Sequence, residues 1–148
     1  MGGLRMSAQG LEVIDHTVQQ AHEWINELAE RVDSPNRKNA LQLMRATMAE
    51  IRDMLSHEEA ADFAAQLPAL LRGFYYEGWR PATTPTKDRR RVQFVNRVSA
   101  RLKDSTWFNG EADIEEVFRL LNNRISKGEI ADVRQSLSTD LRALWPEQ

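Results

Sequence analysis

The stretch Ser56–Trp79, SHEEAADFAAQLPALLRGFYYEGW, decides how the rest of the chain is read. Ser56-His57-Glu58-Glu59 has the S-x-x-E form of a capping box, in which the serine hydroxyl accepts a backbone N–H bond and the glutamate reaches back to the serine N–H. A helix therefore starts there and runs through Ala60, Phe63, Ala64 and Leu67. Pro68 ends it, because proline has no N–H to donate and disfavours helical geometry in the residue before it. A short second helix follows, with Leu70, Leu71 and Phe74 expected inward and Tyr75 and Tyr76 on its flanks.

Working outward, apolar residues upstream fall at Leu11, Ile14, Val18, Ala21, Ile25, Leu28 and Val32, the alternating three and four spacing of an amphipathic helix. Ser34-Pro35 stops that helix and opens another, since proline is tolerated at the first helical position. Leu41, Met44, Met48, Ile51 and Leu55 share one face of it. Downstream, Arg80–Thr86 reads as a linker, poor in apolar residues and holding Pro81 and Pro85. A helix after it places Val92, Val95, Val98 and Leu102 inward, and a further one, capped by Asn109 or a neighbour, carries Ile114, Val117, Phe118, Leu121 and Ile125. Ser126-Lys127-Gly128-Glu129 repeats the capping box ahead of Ile130, Val133, Leu137, Leu141 and Leu144.

Sliding the chain by 70 residues aligns its halves without a gap from Trp24/Phe94 onward. Identities include Asn26/Asn96, Arg31/Arg101, Asn39/Asn109, Ser56/Ser126, Glu59/Glu129, Asp62/Asp132, Leu67/Leu137, Leu71/Leu141 and Arg72/Arg142, and Tyr75 pairs with Trp145. The expected fold is all-α, a helical bundle built from two pseudo-symmetric copies of a three-to-four-helix unit. Residues 1–10 read as a disordered start, 11–79 as the first repeat, 80–91 as the linker and 92–148 as the second repeat, together one compact domain. Ser138 stands where Pro68 would recur, which leaves open how sharply the second copy breaks its helix.

The pattern E-x-A-x-D-x-x-x-Q-L-P-x-x-L-R followed by tyrosines and Glu-Gly-Trp, here Glu58 to Trp79, resembles the bacterial family of domain of unknown function 2267. Gly128–Pro146 is similar to a weaker second half of the same pattern. The resemblance spans about residues 11–146 and implies a small all-helical bacterial protein. It brings no catalytic or binding residue with it.

Composition excludes several chemistries. With no cysteine, the 148-residue chain has no disulfide, thiolate metal site or thiol nucleophile, which suits a cytoplasmic protein. A net charge of −2 argues against general affinity for nucleic acid. No apolar run approaches the roughly 20 residues of a membrane helix. His16, His22 and His57 lack the spacing of a helical metal site, so no metal or other cofactor is expected. Glu58, Glu59 and Asp62 could pass for an acid–base cluster, but a helix start explains them. Neither a nucleophile elbow nor a phosphate-binding glycine loop occurs, so no catalytic residue is assigned.

Function is sought in what one half has and the other lacks. Gly73–Arg80 carries aromatics and arginine, residue types enriched at interaction hot spots. The leading expectation is a non-enzymatic protein that contacts a protein partner or a second copy of itself through Tyr75, Tyr76, Trp79 and Arg80. The alternative is a small-ligand binder or enzyme with a pocket between the halves and Arg72, Tyr75 and Glu77 as its polar groups. Nucleic-acid binding through Arg89-Arg90-Arg91 comes third, weakened by the acidic net charge and the lack of interleaved aromatics.

Overall fold

A computed structural model describes residues 11–34 and 36–148. The expectations for residues 1–10 and for Pro35 lie outside the described residues. The described residues form eight α-helices and no strand: α1 (Glu12–Arg31), α2 (Arg37–Met54), α3 (His57–Ala65), α4 (Ala69–Tyr76), α5 (Arg91–Arg101), α6 (Glu111–Arg124), α7 (Lys127–Ser136) and α8 (Thr139–Arg142). A 3-10 turn, Pro81–Thr83, lies between α4 and α5.

Helix α2 is the axle of the fold. It packs against α1, α4, α5 and α6 and is buried all round from Ala46 to Arg52, so its interior residues include Thr47, Glu50 and Arg52 beside Leu43, Met44, Met48 and Ile51. Charges so enclosed persist only when paired. Arg97 donates from Nε to Glu50 at 2.9 Å, Arg101 also bonds Glu50, and Arg52 donates to Asp53 Oδ1 at 2.8 Å and to the carbonyls of Tyr75 and Glu77 at 2.8 and 3.1 Å. These bonds tie α2 to α5 and to the end of α4. On the far side, Glu27 of α1 accepts from Arg31 at 2.7 Å, Arg124 at 2.8 Å and Asn123 at 3.1 Å, joining α1 to α6. Burial alone would raise the Glu27 pKa; these hydrogen bonds outweigh it and hold the carboxyl below its usual value.

The apolar stripes depart from expectation at two places. Leu11 and Ile14 are exposed, and α1 joins the core only from Ala21, adding Trp24, Ile25, Leu28 and Ala29. An amphipathic pattern marks which face can be buried, whereas neighbouring helices fix how far along it burial extends. On α5 the buried residues are Phe94, Val98 and Leu102, at steps of four, which turns Val92 outward.

Helix ends recur seventy residues apart. Ser34 N–H donates to Ala29 O at 2.9 Å and Asp104 N–H to Ser99 O at 3.0 Å, each closing a turn at a left-handed residue, Asp33 (φ 53°) and Lys103 (φ 55°). Ser56 and Ser126 accept from Glu59 and Glu129 N–H at 3.1 and 3.3 Å. Arg72 Nε donates to Ala64 O at 2.9 Å, and Arg142 Nε to Arg134 O at 2.8 Å. Pro68 (φ −56°, ψ 148°) and Ser138 (φ −63°, ψ 156°) share one backbone geometry, so the second break is as sharp as the first. Ser138 reaches it by other means: its hydroxyl accepts from Leu141 N–H at 3.2 Å and donates to Arg89 O at 2.7 Å.

Candidate functional site

The aromatic tail is chiefly the closure of a core. Tyr75, expected at an interaction surface or pocket, is 1% exposed; its hydroxyl donates to Ala60 O at 2.9 Å and its ring lies 5.4 Å from Phe63. Burial drives its pKa far upward. This corrects the expected inward face of α4: Leu71 and Tyr75, four apart, are the buried pair, and Phe74 is only partly covered. Tyr76 and Trp79 are half-buried, 5.4 Å apart, with His57 edge-on to Trp79 at 5.7 Å. Arg80 is exposed.

Nor do Arg72, Tyr75 and Glu77 meet in one pocket. The Arg72 guanidinium is occupied with Ala64 O and Leu67 O at 2.9 and 2.8 Å, closing the end of α3. Glu77 is well exposed on the other side and pairs with Arg45. The Arg89–Arg91 run is committed within the chain as well: Arg89 donates to Met54 O at 3.1 Å and also bonds Ser136 O, Arg90 pairs with Asp88 at 2.8 Å and Arg91 with Glu111 at 2.7 Å. The Arg90 guanidinium holds the Asp88 carboxyl down at about 2. Thr86 N–H donates to Asp53 O at 2.8 Å, so the segment read as a linker is fastened to α2.

What α4 does present is a cleft shared with α2 and α5, about 380 Å³ in volume. Phe74, Ala46 and Ala49 supply apolar lining, and Arg45, Arg101, Lys103 and Glu77 supply charge. Arg45 lies 4.4 Å from the centroid of the Phe74 ring, a cation–π contact that holds the guanidinium over the apolar floor. Arg101 is neutralised from below by Glu50 and by Asp53 at 3.1 Å. Lys103 has no acidic partner among the described residues, although it occupies a left-handed position where glycine is the usual residue. The cleft thus sets Lys103 and Arg45, the latter already paired with Glu77, beside the ring of Phe74. Phe74 and Glu77 are the part of it legible in the tail motif; Arg45, Arg101 and Lys103 come from two other helix surfaces and leave no local signal.

A second cluster lies where α3 packs on α7, with Glu59, Asp62, Glu129 and Asp132. No cation pairs with them among the described residues. The serine halves of both capping boxes form, but the glutamates do not close back: Glu59 Oε2 and Glu129 Oε2 are enclosed without a hydrogen-bond partner. Burial, then Asp62, Glu59 and Asp132, push the Glu129 pKa up to about 7, and burial with Asp132, Asp62 and Glu58 raises Glu59. Among the described residues no group of three or more metal-ligating side chains is placed to hold an ion, and no helix is long and apolar enough to cross a membrane.

A family model described as an uncharacterised conserved protein, DUF2267, matches residues 21–144. No curated protein matches the chain.

Proposed function

Because the chain belongs to the DUF2267 family of uncharacterised conserved proteins, which brings no activity with it, we propose a non-catalytic role in binding a protein partner, centred on the α2–α4–α5 cleft. The carrying observation is Lys103, a cation at the cleft with no acidic partner among the described residues. The left-handed backbone belongs to the helix end, shared with Asp33 seventy residues earlier and with Asp104, so the reading rests on the cation that this turn sets at the cleft and not on the conformation itself. Of the aromatic tail, Phe74 and Glu77 line the cleft, whereas Tyr76 and Trp79 pack with Tyr75 and His57 and Arg80 is exposed, so the tail keeps a part in this reading through Phe74 and Glu77. The occupant is an acidic segment of another bacterial, cytoplasmic protein or of a second copy of this chain.

We read the chain further as a duplicated unit, two sets of helices about an approximate two-fold axis. The helix-end hydrogen bonds seventy residues apart support it, as do the paired breaks at Pro68 and Ser138.

The test is a nuclear magnetic resonance titration with a short glutamate–leucine peptide at low salt. Amide shifts should concentrate at Arg45, Phe74 and Lys103. Lys103→Gly should weaken them about tenfold without loss of thermal stability, because glycine suits the backbone there. Shifts scattered over every basic residue, or unchanged in Lys103→Gly, sink the reading. Light scattering at rising concentration tells a second copy from a different partner.

A further inference from the structure

A second cavity carries the opposite charge. It is about 190 Å³ in volume and lies between the α1–α2 turn and the segment leading into α6. Its polar lining includes Asp33, Asn39, Asn109 and Asp113, and its apolar lining includes Leu43 and Trp107. Two pairs in this wall stand seventy residues apart, Asn39 with Asn109 and Leu43 with Asp113. The asparagines match; at the other pair one half offers a leucine and the other a carboxylate.

Asp113 is 6% exposed. One of its oxygens accepts from Asn109 N–H at 2.9 Å, and no lysine or arginine pairs with it among the described residues. Burying a carboxylate costs free energy unless donors or dipoles compensate it, and here the α6 N-terminus supplies part of that compensation. Asp33 adds a second carboxylate from left-handed backbone (φ 53°), in the turn that corresponds to the one holding Lys103 at the basic cleft. Trp107 stands seventy residues from Arg37, so the half that brings the buried carboxylate also brings an indole in place of a cation. Arg37 lies in the neighbouring shallow depression, beside Asp33 but outside this cavity, and pairs with neither acid.

Two carboxylates, an indole and, among the described residues, no lining cation are the complement of a small positive ion with an apolar body, since indole rings attract ammonium groups and carboxylates neutralise them. The volume is below the roughly 300–1,000 Å³ of pockets for drug-sized molecules, which restricts the ligand to a few carbon atoms. We propose that this cavity binds a small organic ammonium ion between Asp113, Asp33 and the ring of Trp107. The site is separate from the basic cleft, and neither reading depends on the other.

The test follows the Trp107 indole N–H in proton–nitrogen spectra, identified by its loss in Trp107→Leu. Butylammonium and tetramethylammonium are the probes, with butanol and butyrate as their uncharged and negative counterparts. Saturable shifts should appear with the two cations alone. Asp113→Asn should weaken binding about tenfold; its amide oxygen still accepts from Asn109 N–H, so the start of α6 is kept. Asp33→Gly, in backbone that glycine prefers, should weaken it as well with the thermal midpoint unchanged or raised. Equal shifts with butanol would make the cavity merely apolar and overturn the proposal. So would unaltered affinity in the two aspartate variants, or no saturable shift with either cation.

Discussion

Glu129 shows how one residue takes its properties from two helices. Its place three residues after Ser126 marks it as a capping partner, yet its carboxylate faces Asp62 and Glu59 across the α3–α7 contact and its Oε2 has no donor among the described residues. The folded-state pKa of about 7 lies above the ordinary glutamate value of 4.5. The folded protein therefore holds a proton in a range where the unfolded chain has released it. Stability should rise as pH falls from about 7 towards 4.5, and above that range the carboxylate repulsion acts in full. Glu129→Gln removes one charge from the cluster. It should raise stability at about pH 8 by up to about 1 kcal/mol, because solvent screens a partly exposed cluster, and should flatten the pH slope. Urea melts of both proteins across this range check it; a wild-type stability that falls on acidification from 7 to 5 would contradict the assignment.

At the scale of elements, breaks define the fold as much as helices do. Pro68 separates α3 from α4 by lacking a donor, and Ser138 separates α7 from α8 through its hydroxyl, at nearly the same backbone angles. Ser138→Ala removes the acceptor for Leu141 N–H and the donor to Arg89 O. A loss of about 1–2 kcal/mol is expected from the cap and the extra bond together. Ser138→Pro should recover part of it if proline at this position acts as Pro68 does, and thermal melts of the two variants compare them directly. The arginines that follow each break, Arg72 and Arg142, return to the carbonyls of the helix before it, at 2.8 Å to Leu67 O and 3.0 Å to Leu137 O. Their recurrence at a distance of seventy was the sign that they serve the fold rather than a site.

Across the whole molecule the halves share one core. Buried residues from Ala21 to Trp145 form a single cluster, α2 packs against α5 and α6, and α3 packs against α7. Fragments 1–86 and 87–148 should each lack a cooperative thermal transition by circular dichroism, and mixing them should restore it. A cooperative melt of either fragment alone would show that a single unit closes its own core. Helix class, the capping serines and the Leu67-Pro68 break were legible because each depends on a residue and its near neighbours along the chain. Tyr75 was not read this way: it pairs with Trp145 seventy residues on and both are buried, at 1% and 2% exposure, yet the sequence reading assigns Tyr75 to a contact surface. Periodicity named the stripes of α1 and α5 without saying where along them burial begins or which valine turns outward. Those outcomes depend on the packing helices, as do the charges that share a cleft. By itself the sequence determined the helices, the capping serines Ser56 and Ser126 and the family, while the second helix starts at Arg37 behind Asn36 rather than at Ser34-Pro35 and the third ends at Ala65 rather than Leu67. Only the tertiary structure decided that Tyr75 is core, that the arginine run is spent within the chain, and that Lys103 and Asp113 line separate cavities of opposite charge, because burial and electrostatic neighbourhood are set across helices and not along them.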